Sequence, residues 1–145
     1  LADQTVEFIN EYYHSETIEM VNITEENATV TGSWTNFHDT GSYQHERLLT
    51  TNKGDAIEFT FNGTGIKWFD SSNTSKGMAE VYIDGELKGT VDEYSSELLC
   101  QREMFRITGL KAGKHTIKIV SLGEKNDFSE STEIGVDYFA VISQK

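Results

Sequence analysis

Short runs in which apolar and polar residues alternate recur along this chain of 145 residues. In residues 55–61, Ile57, Phe59 and Phe61 would fall on one face of an extended strand and the polar residues between them on the other. Similar alternation occurs in residues 79–83, 115–119 and 134–141. No segment sustains the i, i+3, i+4, i+7 spacing of an amphipathic helix. The pattern predicts an all-β protein.

Turn residues separate these runs. The chain contains no proline, so its turns depend on Gly, Asn, Asp and Ser. The Asp-Gly pair at 84–85 favours a two-residue hairpin turn, and residues 62–65 mark another tight reversal. Many short strands without helices between them are typical of an antiparallel β-sandwich. We expect the sandwich to cover residues 16–145 and residues 1–15 to form a linker or lead-in segment.

The chain is strongly acidic, with 24 Asp and Glu residues against 12 Lys and Arg and a formal net charge of −12. A surface of this sign repels phosphate groups, which argues against nucleic acid and anionic lipid as partners. The sequence also lacks a run of about 18 apolar residues, so we expect no membrane insertion. A neutral or cationic partner, or a bound cation, suits the charge better. The alternative is that the acidity only provides solubility.

The sequence carries none of the common motifs of catalytic nucleophiles, nucleotide loops or helical zinc sites. A pair of carboxylates for glycoside hydrolysis would have to lie in a deep cleft, and a small sandwich usually offers only loop ends or a shallow sheet face. The single cysteine, Cys100, follows two leucines and is expected to be a buried, inert thiol. We therefore predict that this chain is not itself an enzyme.

Three segments combine aromatic rings with short polar side chains: residues 34–45, 68–77 and 91–96. Sugars present C–H faces that stack on aromatic rings and hydroxyl groups that bind planar polar side chains. The first segment is not patterned as a strand, so we expect it to be a loop. The predicted carbohydrate contacts are His38, Tyr43, His45, Trp68, Asp70, Asn73, Tyr94 and Arg102.

Several of these residues have a structural alternative. Trp34 could pack under the sandwich, and Trp68 shares a strand face with Ile66, which would place it in the core. Arg102 could form an ordinary ion pair with the neighbouring Glu103.

The order of the strand and turn motifs resembles a known class of domain. The motifs are F-x-G-T-G-I at 61–66, Y-I-D-G at 82–85 and G-L-x-x-G-x-H-T-I-x-I at 109–119. Together they resemble the galactose-binding-like β-sandwich (jelly-roll) carbohydrate-binding modules of secreted bacterial carbohydrate-active enzymes. The resemblance covers about residues 21–142.

This resemblance implies a non-catalytic module that directs a larger secreted or cell-surface bacterial enzyme or adhesin to a polysaccharide or oligosaccharide. A catalytic domain would be covalently linked to it. The alternative is an accessory domain that packs against the catalytic domain of a glycoside hydrolase or carbohydrate esterase and has no sugar site of its own.

The resemblance also implies a structural calcium ion between the first and last strands. Asp137 matches the acidic residue near the last strand, and Glu19 or Glu25 would be its counterpart near the first. The paired glutamates usual in the first strand are not cleanly present here. The alternative places Asp137 on the solvent face of an edge strand.

Overall fold

The computed structural model describes residues 16–144, so the expectation for residues 1–15 lies outside the described residues. The described part contains twelve β-strands and one 3₁₀ turn at Tyr43–His45. The strands are β1 (Glu16–Asn22), β2 (Thr29–Thr31), β3 (Thr35–His38), β4 (Glu46–Thr50), β5 (Ala56–Gly63), β6 (Gly65–Ser72), β7 (Met78–Ile83), β8 (Glu86–Asp92), β9 (Leu99–Ile107), β10 (Gly113–Ser121), β11 (Ile134–Val136) and β12 (Tyr138–Gln144).

The strands form three sheets, and every pair of neighbouring strands is antiparallel. The order is β1-β12-β6-β9 in the four-stranded sheet, β2-β5-β10-β7-β8 in the five-stranded sheet and β11-β4-β3 in the smaller third sheet. The core contains Phe59 and Ile119 from the five-stranded sheet, and Ile66, Trp68 and Phe139 from the four-stranded sheet. The predicted antiparallel β-sandwich is therefore confirmed.

The alternation in β5 orients its side chains as predicted. Ile57, Phe59 and Phe61 are buried, whereas Glu58 and Thr60 between them are exposed. Since the core covers only one face of the five-stranded sheet, apolar residues are needed at every second position of the strand.

The two predicted turns have different roles. Asp84 and Gly85 both have positive φ angles, 53° and 81°, and they join β7 to β8 as a hairpin. In contrast, the turn at residues 62–65 carries the chain from the five-stranded sheet into the four-stranded sheet. A Cβ atom on Gly63 would lie 2.3 Å from the Ile142 carbonyl oxygen, so the crossing requires glycine there.

Two expectations are wrong. Residues 35–38 form β3 and do not belong to a loop. All four side chains of β3 are exposed at the edge of the third sheet, so burial imposes no alternation on its sequence. Cys100 is exposed and not buried, because it lies near the beginning of β9, an edge strand whose first four side chains all face solvent.

Residues 16–144 contain no helix with the length and apolar character needed to cross a membrane.

At the end of the sandwich that carries the β7–β8 turn, His115 on β10 contacts that turn and the segment that precedes β10. Its Nδ1 lies 2.6 Å from Asp84 Oδ2 and its Nε2 lies 2.6 Å from the Lys111 carbonyl oxygen. Both neighbours are acceptors, so the doubly protonated imidazolium fits best. The Lys111 carbonyl and the Asp84 carboxylate accordingly raise the pKa of His115 above its ordinary value.

This contact predicts a pH-dependent stability. Because the folded-state pKa of His115 is raised, its stabilisation is complete below the ordinary value of 6.5 and is lost as the pH rises through the folded-state pKa. We expect His115→Gln to lower the melting temperature most at pH 5.5 and progressively less up to pH 9. Circular dichroism melts of both proteins across this range would check it, and a difference that does not change with pH would contradict it.

Candidate functional site

Three loops lie side by side at the end of the sandwich opposite to the β7–β8 turn. We call these three loops the loop end. They comprise residues 73–77 between β6 and β7, residues 93–98 between β8 and β9, and residues 122–133 between β10 and β11. The Ser95 N–H donates to the Asn73 carbonyl at 3.1 Å, and the Glu130 N–H donates to the Thr74 carbonyl at 2.8 Å. These backbone bonds fix the first loop between the other two.

A buried ionic network lies beneath the loop end. The Lys76 Nζ atom lies 2.9 Å from Asp70 Oδ2 and 3.2 Å from Glu133 Oε1, and the side chains of Lys76 and Asp70 are completely buried. The Arg47 guanidinium lies 3.4 Å from Asp70 Oδ1 and 3.0 Å from Asp39 Oδ2. Burial alone would raise the pKa of Asp70, but the charges of Lys76 and Arg47 hold it below its ordinary value. The network therefore remains ionised.

A second buried carboxyl group, Glu93, anchors the loop that follows β8. Its Oε2 accepts the Gly135 N–H at 3.0 Å, while its Oε1 has no hydrogen-bond partner within residues 16–144. Burial and the nearby charge of Asp70 raise the pKa of Glu93 well above its ordinary value. Glu93 therefore favours its neutral form, which avoids a second buried negative charge beside Asp70.

Trp68 and Asp70, two of the predicted sugar contacts, are completely buried. The Trp68 indole N–H donates to the Gly135 carbonyl at 3.1 Å, and the Asp70 carboxylate belongs to the ionic network. Neither side chain can reach a ligand on the surface, so these two predictions are corrected. Trp34 likewise packs against the core, as its structural alternative proposed.

Asn73 and Tyr94, in contrast, are brought together at the loop end by a parallel β-bridge. The Tyr94 N–H donates to Asp92 Oδ1 at 3.0 Å, and Asn73 Oδ1 accepts the Ser75 N–H at 2.8 Å. Both residues are partly exposed. They can therefore contact a ligand while their backbones stay fixed.

The structure adds two residues that the sequence analysis missed, Asn126 and Phe128. The Asn126 Nδ2 donates to Asp92 Oδ2 at 2.9 Å, and its Oδ1 accepts the Phe128 N–H at 2.8 Å. The Phe128 side chain is 80% exposed. The only signal in the sequence is an aromatic residue within an Asn-Asp-Phe-Ser turn.

The Asp92 carboxylate thus connects the loops that carry the two rings. It accepts a hydrogen bond from the Tyr94 backbone with one oxygen and one from the Asn126 side chain with the other. We call the resulting surface the loop-end platform, and it consists of Asn73, Asp92, Tyr94, Asn126 and Phe128.

A shallow cavity of about 250 Å³ lies at the same end of the sandwich. It is lined by Asp39, Thr40, Gly41, Arg47, Ser71, Leu98 and Cys100. Arg102, a predicted carbohydrate contact that lies on β9, donates to Ser72 Oγ at 3.0 Å. Glu103 forms ion pairs with Arg106 and Lys67, so the expected Arg102–Glu103 pair is not what the structure shows.

Two other predicted contacts, His38 and Tyr43, take no part in the hydrogen bonds of the platform. His38 lies on β3, where its Nδ1 is 3.4 Å from Glu46 Oε1. The Tyr43 ring packs against the Tyr138 ring, with a centroid distance of 4.9 Å. The side chain of His45 lies outside the described part of the structure.

The three predicted calcium ligands are not gathered. Glu19 and Glu25 are exposed, whereas Asp137 is completely buried and accepts the Tyr43 N–H on both carboxylate oxygens, at 2.9 and 3.0 Å. Burial raises the pKa of Asp137 to about 7. Within residues 16–144, no three His, Cys, Asp or Glu side chains form a group that could hold a metal ion. Asp137 therefore does not face solvent, and calcium binding itself stays a prediction.

No protein-family model matches the chain. Two curated relatives come from Flavonifractor plautii. The A type blood N-acetyl-α-D-galactosamine deacetylase is 36% identical over 114 residues, which are 79% of this chain and 14% of that protein. The A type blood α-D-galactosamine galactosaminidase is 30% identical over 127 residues, 88% of this chain and 11% of that protein. The chain therefore spans only a small part of each relative.

Solved structures of isolated modules share the fold. The CBM36-1 domain of a multidomain xylanase from the hindgut metagenome of Trinervitermes trinervoides has a TM-score of 0.59 and 20% identity, covering 86% of this chain and 96% of the domain. A family 35 carbohydrate-binding module from Clostridium thermocellum has a TM-score of 0.54 and 14% identity, covering 88% of this chain and 99% of the module. The chain has the β-sandwich fold of carbohydrate-binding modules.

The neutral form of Glu93 leads to a prediction. Because its folded-state pKa lies above the ordinary value of 4.5, wild-type stability falls as the pH rises from 4.5 towards the folded-state pKa. Glu93→Gln keeps an acceptor for Gly135 and presents N–H groups towards Asp70, so this loss should disappear. We expect the difference between the melting temperatures of Glu93→Gln and wild type to shift in favour of the variant as the pH rises from 5 to 9.

Glu93→Ala provides the contrast. It leaves the buried Gly135 N–H without its acceptor, which should cost about 1–3 kcal/mol in the free energy of unfolding. A Gln variant as unstable as the Ala variant at every pH would contradict the neutral-acid interpretation.

Proposed function

We propose that this chain is a non-catalytic carbohydrate-binding module whose ligand lies on the loop-end platform. The observation that carries the proposal is the 80% exposure of Phe128 on a turn that is hydrogen-bonded to its neighbours. A ring held on a fixed turn offers an apolar face on which the C–H face of a sugar can stack. The sandwich fold supports the same proposal.

The polar groups of the platform suit sugar hydroxyls. Within residues 16–144, the Tyr94 hydroxyl forms no hydrogen bond. The Asn73 side chain forms one, in which its Oδ1 accepts the Ser75 N–H, so its N–H₂ group can donate to a ligand. The Asn126 amide is oriented by Asp92 and by the Phe128 backbone. Because the Asn126 amide and the backbones of Asn73 and Tyr94 are held before binding, less conformational entropy is lost when a sugar binds.

The sugar class is proposed from charge and from the relatives. A net charge of −12 disfavours acidic sugars and suits neutral or cationic ones. Both relatives are named for galactosamine compounds, one for the N-acetylated form and one for the free amine. We therefore propose glycans that end in N-acetylgalactosamine or galactosamine as the first ligands to test.

The module would belong to a larger secreted bacterial enzyme and would be covalently linked to its catalytic domain. Binding to a glycan would then raise the local concentration of the catalytic domain at its substrate. The small share of each enzyme relative that this chain covers, 14% and 11%, supports a fragment of this kind.

One observation favours the alternative of an accessory domain that packs against its neighbour. Ile18 and Met20 on β1 are 59% and 43% exposed, and they lie two residues apart on the same face of an edge strand. An accessory domain without a sugar site predicts no binding on a broad glycan array. It also predicts that the Ile18→Glu, Met20→Glu double variant weakens association with the rest of the enzyme.

The decisive experiment compares two phenylalanines by calorimetry. With N-acetylgalactosamine and galactosamine glycosides as ligands, we expect Phe128→Ala to weaken binding about two- to twelvefold, because stacking on a ring contributes about 0.5–1.5 kcal/mol. Tyr94→Ala should act in the same direction.

Phe37→Ala is the matched control, since Phe37 is also exposed, at 42%, but lies on β3. It should leave the affinity unchanged. Equal affinities of wild type and the Phe128 variant would contradict the proposed site. If the wild-type protein binds no glycan on a diverse array, the proposed function is contradicted.

A further inference from the structure

A single side-chain amide joins three backbone carbonyls near the junction of β1 and β12. The Asn22 Nδ2 atom lies 3.2 Å from the Tyr43 oxygen, 3.2 Å from the Glu46 oxygen and 3.1 Å from the Asp137 oxygen. The three carbonyls belong to the 3₁₀ turn, the beginning of β4 and the residue between β11 and β12. Asn22 itself ends β1 and is partly buried.

The three contacts connect two different sheets. Asn22 belongs to the four-stranded sheet, whereas Glu46 begins a strand of the third sheet. Asp137 lies at the point where the chain passes from the third sheet into the four-stranded sheet. Among residues 16–144, no strand of the four-stranded sheet pairs with a strand of the third sheet. The Asn22 amide is therefore one of the contacts that fix the relative position of the two sheets.

Three carbonyl oxygens that converge need a positive partner. Without one, their partial negative charges repel one another, and each buried oxygen loses its hydrogen bonds to water. An N–H₂ group carries two hydrogens, so it can satisfy the three oxygens only by sharing one hydrogen between two of them. A cation could satisfy the same oxygens.

The residues present do not fit a calcium ion well. Calcium takes six to eight oxygen ligands at about 2.3–2.6 Å, usually with several carboxylates. Nδ2 lies at nearly equal distances from the three carbonyls and so fills the space between them. Glu19 and Glu25 are exposed, and both oxygens of Asp137 accept the Tyr43 N–H.

We infer that the Asn22 amide holds these three carbonyls together in place of a metal ion, so that the fold does not depend on calcium. The position is one substitution from a cation site, because an aspartate at position 22 would remove both N–H donors and add a carboxylate beside the three carbonyls. This inference is independent of the proposed sugar site.

The test measures melting temperatures of purified protein with 5 mM CaCl₂ and with 5 mM EDTA. Wild type should melt at the same temperature in both. Asn22→Ala should melt at least about 5 °C lower in both, because three oxygens lose the hydrogen bond from the amide, and only the Tyr43 oxygen keeps a second donor among the bonds described, the Glu46 N–H. Asn22→Asp should be destabilised in EDTA and should regain most of the loss in calcium.

Terbium provides a readout that does not depend on stability, because a bound Tb³⁺ ion emits when a nearby tyrosine is excited. Tyr43 contributes one of the three carbonyls and would be the sensitiser. Emission is expected from Asn22→Asp and not from wild type. Asn62→Asp is the matched control, since it makes the same charge change at an exposed residue of β5.

A wild-type melting temperature that rises in calcium and falls in EDTA would overturn the inference, because an ion would then occupy the position. An Asn22→Ala variant as stable as wild type would overturn it as well. An Asn22→Asp variant without calcium rescue and without terbium emission would overturn the inference that the amide stands in the place of a cation, because the three oxygens would then not form a site of cation size.

Discussion

The loop end depends on one buried charge, the ammonium group of Lys76. An isolated ammonium in a protein interior is strongly unfavourable, so it persists only where anions surround it. Asp70 and Glu133 meet this requirement, at 2.9 and 3.2 Å, and each lies on a different segment of the chain. Any movement of the 73–77 loop would leave a buried charge unpaired. The ionic network therefore makes the position of this loop obligatory, and the neighbouring loops are hydrogen-bonded to it.

This arrangement reverses the usual distribution of residue types at the site. Charged side chains lie inside, and a large aromatic ring, Phe128, lies outside. The internal charges limit the flexibility of the loops, while the external ring and the amides remain free to contact a ligand. A rigid surface of this kind is what the proposed reversible binding to a glycan requires.

The sequence pattern predicted the sandwich and its hairpin at residues 84–85, because alternation and turn chemistry are local properties. It missed β3 for the complementary reason that an edge strand with no buried face carries no alternation. Of the predicted sugar contacts, Asn73 and Tyr94 lie together at the loop end, whereas Trp68 and Asp70 are buried. All four residues occur in segments rich in polar and aromatic residues. The composition of such a segment does not show which of its side chains are buried and which are exposed at the surface.

The sequence by itself determined which side chains of a strand face the core, where the chain turns and what sign of charge covers the surface. These properties follow from the period of an extended chain, from the positive φ angles that an Asp-Gly turn allows and from the close approach that glycine permits at position 63. Only the tertiary structure decided that Asp92 joins Tyr94 to Asn126, which lies more than 30 residues further along the chain. The same holds for the contacts of the Asn22 amide with the Tyr43 and Asp137 carbonyls. Contacts between residues distant in sequence depend on the order of strands within each sheet, and local patterns do not encode that order.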